Sequence, residues 1–384
     1  MGSQRRILQR ALNRKNRIAM IITYLRSSFF GSYEFCENKF FIANSLGIVE
    51  PSNLKADMGT VGHKVMEILA LCKKGLQENK RKISDEEGIV DNIRIRDYIG
   101  TDDNIPQLTD IVYDYYSSRL THNNWTNKAR KDCHSYVSKI IGTMFDPRNR
   151  TIIDAEPHFD FTIEKPWAKY KYYIGEEVLE GFLQIKGTID LVTNAGDDIY
   201  EITDYKFGRR LNWATGAEKT HEKLQDDPQL RLYHYAANLL YPEAKQIMVT
   251  IYFVNDGGPF TMVYDHDDLP QTEEMLRKKF EEIRDNNKPK LIDQAKRYLE
   301  CDNNYRLDKC RKFCNFGKNT FEGTHVMPLT NKINNRLTKK GEYMSMCEQI
   351  NYFIQHRDIE SVVKNTKKPG HDVNKYHAPG STDR

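Results

Sequence analysis

Two stretches of this chain carry acidic and basic side chains at spacings suited to phosphodiester chemistry. They are Gly187-Thr-Ile-Asp190-Leu-Val192 and, beyond residues of turn character, Ile202-Thr-Asp204-Tyr-Lys206. Two carboxylates and one ammonium on a single face are what metal-dependent hydrolysis of a phosphodiester requires. Close carboxylates repel each other and hold raised pKa values unless a positive charge sits between them. Mg²⁺ or Mn²⁺ suits that place, because a hard cation takes carboxylate, carbonyl and water oxygens in octahedral geometry. Such an ion lowers the pKa of a bound water and binds a non-bridging phosphate oxygen. Lys206 would orient that water or neutralise charge developing on the phosphate. Acid-x-Lys by itself carries little weight: Glu37-Asn-Lys39 and Glu78-Asn-Lys80 match it too, and alone it reads as a solvated strand face. Asp190 in register with Asp204 is what lifts the pattern above that background.

A hairpin must position these groups. Leu183, Ile185, Gly187, Ile189 and Leu191 alternate with Gln184, Lys186, Thr188, Asp190 and Val192, the period-two pattern of one half-buried strand with Asp190 off the apolar row. Asn194 to Asp198 is turn chemistry, and Tyr200 to Phe207 resumes an extended run. A turn centred near Asp197 sets Asp190 opposite Asp204, with Cβ atoms about 5 Å apart. Lys206 projects to the same face as Asp204.

With these residues the chain resembles the PD-(D/E)XK nuclease superfamily, and within it the RecB-like branch that includes AddB-type and CRISPR-associated nucleases, phage proteins among them. In that branch a histidine in a G-x-x-x-H motif on an early helix supplies a metal ligand. Gly59-Thr-Val-Gly-His63 is similar, opening a segment in which Val61, Val65, Ile68 and Leu69 mark an amphipathic helix. A Gln-x-x-x-Tyr motif follows the catalytic strand, and Gln229-Leu-Arg-Leu-Tyr233 resembles it, with Asp226-Asp-Pro228 as a helix start. Residues four apart share a helix face, so Gln229 and Tyr233 can look the same way. Glu156, heading a strand from Pro157 to Ile163, stands where the family often has a glutamate. The bland alternatives are a satisfied histidine and an ordinary helix packing Tyr233 into the core; the order of the motifs argues against them.

The resemblance covers roughly residues 27 to 316 and implies an α/β fold, a restriction-endonuclease-like core whose mixed central sheet is flanked by helices. Gln246 to Val254 and Phe260 to Tyr264 read as further strands, and Pro270 to Asn287 as a charged helix. At 384 residues the chain exceeds a usual single domain. We expect a basic tail over 1–20, a nuclease core over 21–320 with a helical insert at about 70–150, and a partly disordered extension over 321–384. The insert could cover the cleft and restrict it to strand ends or single strands.

Net charge is only +4, so basic residues act locally. Arg5, Arg6, Arg10, Arg14, Lys15 and Arg17 precede the first acid, and Arg209-Arg210 follow Lys206 closely, where they would contact DNA phosphates. The basic start also reads as a disordered tail, an expression remnant or a mitochondrial targeting segment; no secretory signal and no apolar run of membrane-spanning length is present. Seven cysteines without such a signal suit an intracellular, reduced protein. Several RecB-like nucleases hold a [4Fe–4S] cluster with one early and three late cysteines, and Cys36, Cys301, Cys310 and Cys314 are similar in order, though they lack the usual Cys-x-x-Cys pair. Zinc, with His325 as a further ligand, or unligated thiols are the alternatives. Cys72, Cys133 and Cys347 read as buried small hydrophobes.

The reading that results is a Mg²⁺- or Mn²⁺-dependent DNA nuclease, an exonuclease on single strands or ends in recombination, repair or replication. His63, Asp190, Asp204 and the Tyr205 carbonyl would hold metal, Lys206 would serve the water, and Gln229 and Tyr233 would position the scissile strand. The alternatives are a non-cleaving DNA-binding module of the same fold, as in helicase-associated relatives, and a CRISPR adaptation subunit that works with an integrase.

Overall fold

The structure is a computed structural model that describes residues 20–45, 52–78, 102–174, 177–212, 216–286 and 314. The described residues fall into two compact units. The larger takes those of 52–161 and 185–276, and the other takes those of 1–51, 162–184 and 277–372.

The larger unit begins with the long helix α1 (Leu54–Gln77), capped by the Asn53 side chain, which accepts the Ala56 N–H at 3.1 Å. Two more helices follow, α2 (Ile105–Arg119) and α3 (Asn127–Ser138). They occupy the stretch read as an insert, and they share one core with α1: Val61, Val65 and Ile68 pack with Leu108, Val112, Cys133 and Val137. Strands β1 (Thr151–Ala155), β2 (His158–Thr162), β3 (Gln184–Thr188), β4 (Leu191–Gly196) and β5 (Ile199–Lys206) come next. Helix α4 (Pro228–Leu240), β6 (Gln246–Phe253) and β7 (Gly258–Tyr264) complete the unit.

Five strands form a mixed sheet in the order β7-β6-β5-β4-β1. Only β5 and β6 run parallel, and α4 makes the crossover between them. The helical core of α1 to α3 includes Tyr205, Phe207, Tyr252 and Val254, so the odd-numbered side chains of β5 face it. Asp204, of opposite parity, meets Gln229 and Tyr233 of α4. Residues 200–205 are all buried, as a central strand covered on both faces should be.

A polar row crosses this buried sheet. The Arg150 guanidinium is paired with Glu201 and donates to Thr193 Oγ1 at 3.0 Å, while Thr250 donates to Glu201 at 2.5 Å and lies 2.8 Å from Thr261. One residue from each of β4, β5, β6 and β7 takes part, so slipping any strand by one position would strand a buried polar group. The outer strand β1 is closed differently: the Gln77 side-chain amide accepts the Ile152 N–H at 3.0 Å and donates to the Ile152 carbonyl at 2.9 Å. It serves both backbone groups as another strand would.

The alternation from Leu183 to Leu191 predicts one strand, and the structure breaks it. β3 pairs with β2, β4 belongs to the five-stranded sheet, and Ile189 and Asp190 lie in neither. At the break the Ile189 N–H donates to the Pro157 carbonyl at 3.1 Å and the Glu156 N–H to the Asp190 carbonyl at 3.0 Å. Burial keeps its parity across the break, since Leu183, Ile185, Ile189 and Leu191 are all buried, so sequence alone hides it. Val192, expected on the outer row, is buried as well.

In the other unit the helix Ser27–Phe35 is held to Asn286, whose side chain donates to Tyr33 Oη at 2.8 Å and to Glu37 at 2.7 Å. A hairpin of Lys169–Ile174 with Glu177–Phe182, not foreseen from sequence, is fastened by Tyr172, whose hydroxyl donates to the Ile22 carbonyl at 2.8 Å. Among the described residues no helix is long and apolar enough to cross a membrane.

His234 on α4 gives this fold an acid-sensitive point. Its ring is fully buried, stacked on Tyr264 at 4.9 Å, and neither nitrogen has a hydrogen-bond partner. Burial lowers its pKa to about 4. The unfolded chain therefore binds this proton first as pH falls, and stability should drop by up to about 1.4 kcal/mol per pH unit between about pH 6.5 and 4, then level off. Urea midpoints across that window should fall more steeply for the parent protein than for His234→Phe. Parallel slopes would show that His234 does not set acid sensitivity.

Candidate active site

At one end of the five-stranded sheet, β5 delivers Asp204 and Lys206 to one face. The strand ladder pairs Leu191 with Thr203 and Val192 with Ile202, which sets Asp190 across from Asp204. The turn behind that register has Asp197 and Asp198 both in the left-handed region, φ 51° and 61°, as tight hairpins require. Asp190 Oδ2 accepts the Tyr205 N–H at 2.8 Å and lies 3.1 Å from His63 Nδ1. The ammonium of Lys206 bridges both oxygens of Asp204, at 2.9 Å and 2.6 Å.

Helix α4 closes the site from the other side. Asp227 caps it by accepting the Gln229 N–H at 2.9 Å, with Pro228 in the first turn. Gln229 Nε2 and Tyr233 Oη each donate to Asp204 Oδ1 at 3.3 Å, and Gln229 Nε2 also donates to Tyr233 Oη at 3.2 Å. Asp204 is thus a buried carboxylate fastened by three side chains.

Glu156 is the site residue that sequence reading left without a role. One ligand atom from each of His63, Glu156 and Asp190 lies within 4.8 Å of the others. Asp204, expected as a ligand, is outside that group, and of Tyr205 the N–H is committed to Asp190 while the ring is buried on the opposite face with its hydroxyl on the Phe145 carbonyl at 2.7 Å. Glu156 reaches the group through a backbone φ of 52°, a left-handed conformation that costs a non-glycine residue about 1 kcal/mol. In sequence it was marked by its place at the head of a strand where the family often has a glutamate, without a role.

Electrostatics follow from burial and crowding. Burial, then the Asp190 carboxylate, push the Glu156 pKa well up. Burial also raises Asp204, with Lys206 opposing and Asp190 adding to it. For Asp190 burial pushes upward, but His63 and Lys206 outweigh it and hold the carboxyl below its usual range. Burial lowers His63, and Asp190 more than reverses it. Burial likewise opposes the charge on Lys206, and Asp204 overcomes it, so the ammonium stays protonated. Beside them Lys64 and Glu67, both buried, form an ion pair at 2.8 Å on α1.

Two glycines make room for this arrangement. A Cβ on Gly62 would lie 2.5 Å from the Phe207 ring, and one on Gly187 would lie 2.4 Å from the Phe159 ring. Phe207 in turn meets the His63 ring edge-on at 5.2 Å and stacks on Tyr136 at 5.4 Å.

A family model described as the PD-(D/E)XK nuclease superfamily matches residues 28–316, three-quarters of the chain. The chain belongs to that superfamily. Its members are in general nucleases, that is phosphodiester hydrolases, and typically use divalent metal ions. The mixed sheet flanked by helices agrees with the superfamily fold. No curated protein matches the chain. In this chain the donor set of one imidazole and two crowded carboxylates, one of them with its pKa pushed well up by burial and by its neighbouring carboxylate, fits a hard divalent cation.

The remaining expected site residues are placed unequally. Arg209 is exposed, whereas the Arg210 guanidinium is paired with Glu218, donates to the Lys219 carbonyl at 2.8 Å and lies over Phe260 at 4.7 Å. Arg210 therefore holds its own loop, and Arg209 is the more exposed of the two. Cys36 is half-buried and Cys314 buried in the smaller unit, while Cys301, Cys310 and Cys347 lie outside the described residues, as do the basic tail and the C-terminal extension. Cys72 and Cys133 are buried among apolar side chains.

Proposed function

We propose that this nuclease is a Mg²⁺- or Mn²⁺-dependent deoxyribonuclease acting on single strands or strand ends, as an exonuclease of recombination, repair or replication. The observation that carries the reading is the convergence of His63, Glu156 and Asp190 beside the Asp204–Lys206 pair. His63, Glu156 and Asp190 would hold the ion, which supplies Lewis acidity toward a phosphate oxygen and a more acidic water. Lys206, kept charged by Asp204, aims an ammonium at the place where charge grows on the phosphate. Asp204 fixes that ammonium, and Gln229 and Tyr233 fix Asp204 while their remaining edges position the scissile strand.

Digestion of end-labelled linear and of circular DNA, single- and double-stranded, with Mg²⁺, Mn²⁺ or chelator tests this. Linear single strands should be degraded with either metal, circles spared, and nothing cut in chelator. Cleavage in chelator, or none with any metal, would refute the reading, and attack on circles would replace exonuclease by endonuclease.

The ligand set has its own test. Glu156→Gln should weaken Mn²⁺ binding in calorimetry at least about tenfold, as loss of one ligand in a small site does, and more than Asp204→Asn does. The reverse order would return Asp204 to the ligand set in place of Glu156.

A further inference from the structure

We propose that the solvent face of α3, with Tyr136 at its edge, is the track on which a single DNA strand lies as it enters the site. The inference rests on the nuclease reading above and adds the surface that recognises the substrate. On α3 the residues Ala129, Cys133 and Val137 are buried, and Lys128, Lys131, Ser135, Ser138 and the following Lys139 are exposed in one stripe. Lys128 and Lys139, eleven residues apart, span about 16 Å of helix axis.

The charges of Lys128 and Lys131 are available. Arg130, on the flank, is committed to the fold: its guanidinium is paired with Asp110 and Asp114 and covers the Tyr113 ring at 4.3 Å. Lys131 has no carboxylate partner among the described residues. Lys128 meets only Asp132, at 2.8 Å, in a pair whose lysine side is 83% exposed, which water and salt weaken and a phosphate can displace.

The stripe is tied to the reacting end of β5. Tyr136 stacks on Phe207, the residue after Lys206, at 5.4 Å and 28°. Lys139 Nζ donates to Asn255 Oδ1 at 2.6 Å, and Asn255 Nδ2 donates to the Phe207 carbonyl at 2.9 Å. Tyr136 is half-buried, flanking the exposed stripe on the helix. A partly exposed aromatic ring flanking a row of ammonium groups suits unpaired bases, which stack on such rings, with their phosphates on the ammonium groups. A duplex hides its base faces and would meet the lysines only.

The test is anisotropy of a labelled thirty-nucleotide oligo-dT in chelator across a salt series, using the full chain, with a duplex of the same length as competitor. Lys128→Gln with Lys131→Gln should reduce the salt slope by about 1.4 and the low-salt affinity several-fold. Tyr136→Leu should weaken single-strand binding about fivefold or more with an unchanged slope, while Tyr136→Phe binds like the parent. Thermal midpoints of the lysine pair should match the parent. Unchanged affinity and slope in the lysine variant would overturn the proposal. Equal losses toward single strand and duplex in Tyr136→Leu would overturn its single-strand part. Cleavage by the parent together with helix-independent binding refutes this inference alone; helix-dependent binding without cleavage refutes the nuclease reading alone.

Discussion

Replacing Lys206 by methionine is expected to lower single-turnover cleavage of a labelled strand by about a thousandfold or more while the thermal midpoint moves little. The expectation follows from how the ammonium is held. Lys206 is one-third exposed, so it can reach substrate, yet both of its short contacts run to a carboxylate that is itself buried. Methionine keeps the length of the side chain and removes the charge. Asp204 then loses its counter-ion, and because burial already raises its pKa, it takes up a proton instead of carrying an unpaired charge. That response protects the fold and removes the chemistry. Cleavage within tenfold of the parent, in protein shown to be folded, would exclude Lys206 from the reaction.

Gly62→Ala is the second large effect expected, and it separates packing from motif. The added methyl carbon would meet three atoms of the Phe207 ring at 2.5 to 2.8 Å. That ring is held between the edge of His63 and the face of Tyr136, so it cannot yield without moving one of them. Overpacking of this kind costs about 1–3 kcal/mol, and a displaced His63 should cost cleavage about a hundredfold through misplacement of the reacting groups. Gly59, the glycine the motif names, behaves oppositely. A Cβ there meets only Phe207 Cδ2 at 3.9 Å, so Gly59→Ala should gain up to about 1 kcal/mol of helix propensity. Calorimetric melting of the two variants side by side decides the matter: equal midpoints would mean that Phe207 is free to move.

The hairpin of β4 and β5 was legible because its turn residues fix a register, although burial on both faces hides period two in β5. The start of α4 was legible because Asp227 and Pro228 are cap chemistry whatever surrounds them. Glu156 was marked by position alone and its role was not legible, since that depends on a left-handed backbone and on where two sheets meet, neither of which is written in local composition. The break at Ile189–Asp190 was hidden for a related reason: burial continues with the same parity on both sides. The hairpin over 169–182 escaped because its exposed positions carry Tyr173, 72% exposed, and Val178, 47% exposed, which blurs the apolar period. The contacts of Arg210 were hidden because sequence does not reveal that Glu218 and Phe260 return to it.

The crossing of chain at Glu156 and Asp190 has a mechanical meaning. Each of these residues sits where its strand leaves one sheet for the other, and the two crossings are stitched by the paired backbone bonds Glu156 to Asp190 and Ile189 to Pro157. Any twist of one sheet against the other changes the separation of the two carboxylates. The reverse also holds, because whatever fixes that separation clamps the twist. A cation bound there would act as a rivet through the joint between sheets. The amide protons at the joint, those of Glu156 and Ile189, would then report occupancy by exchanging more slowly.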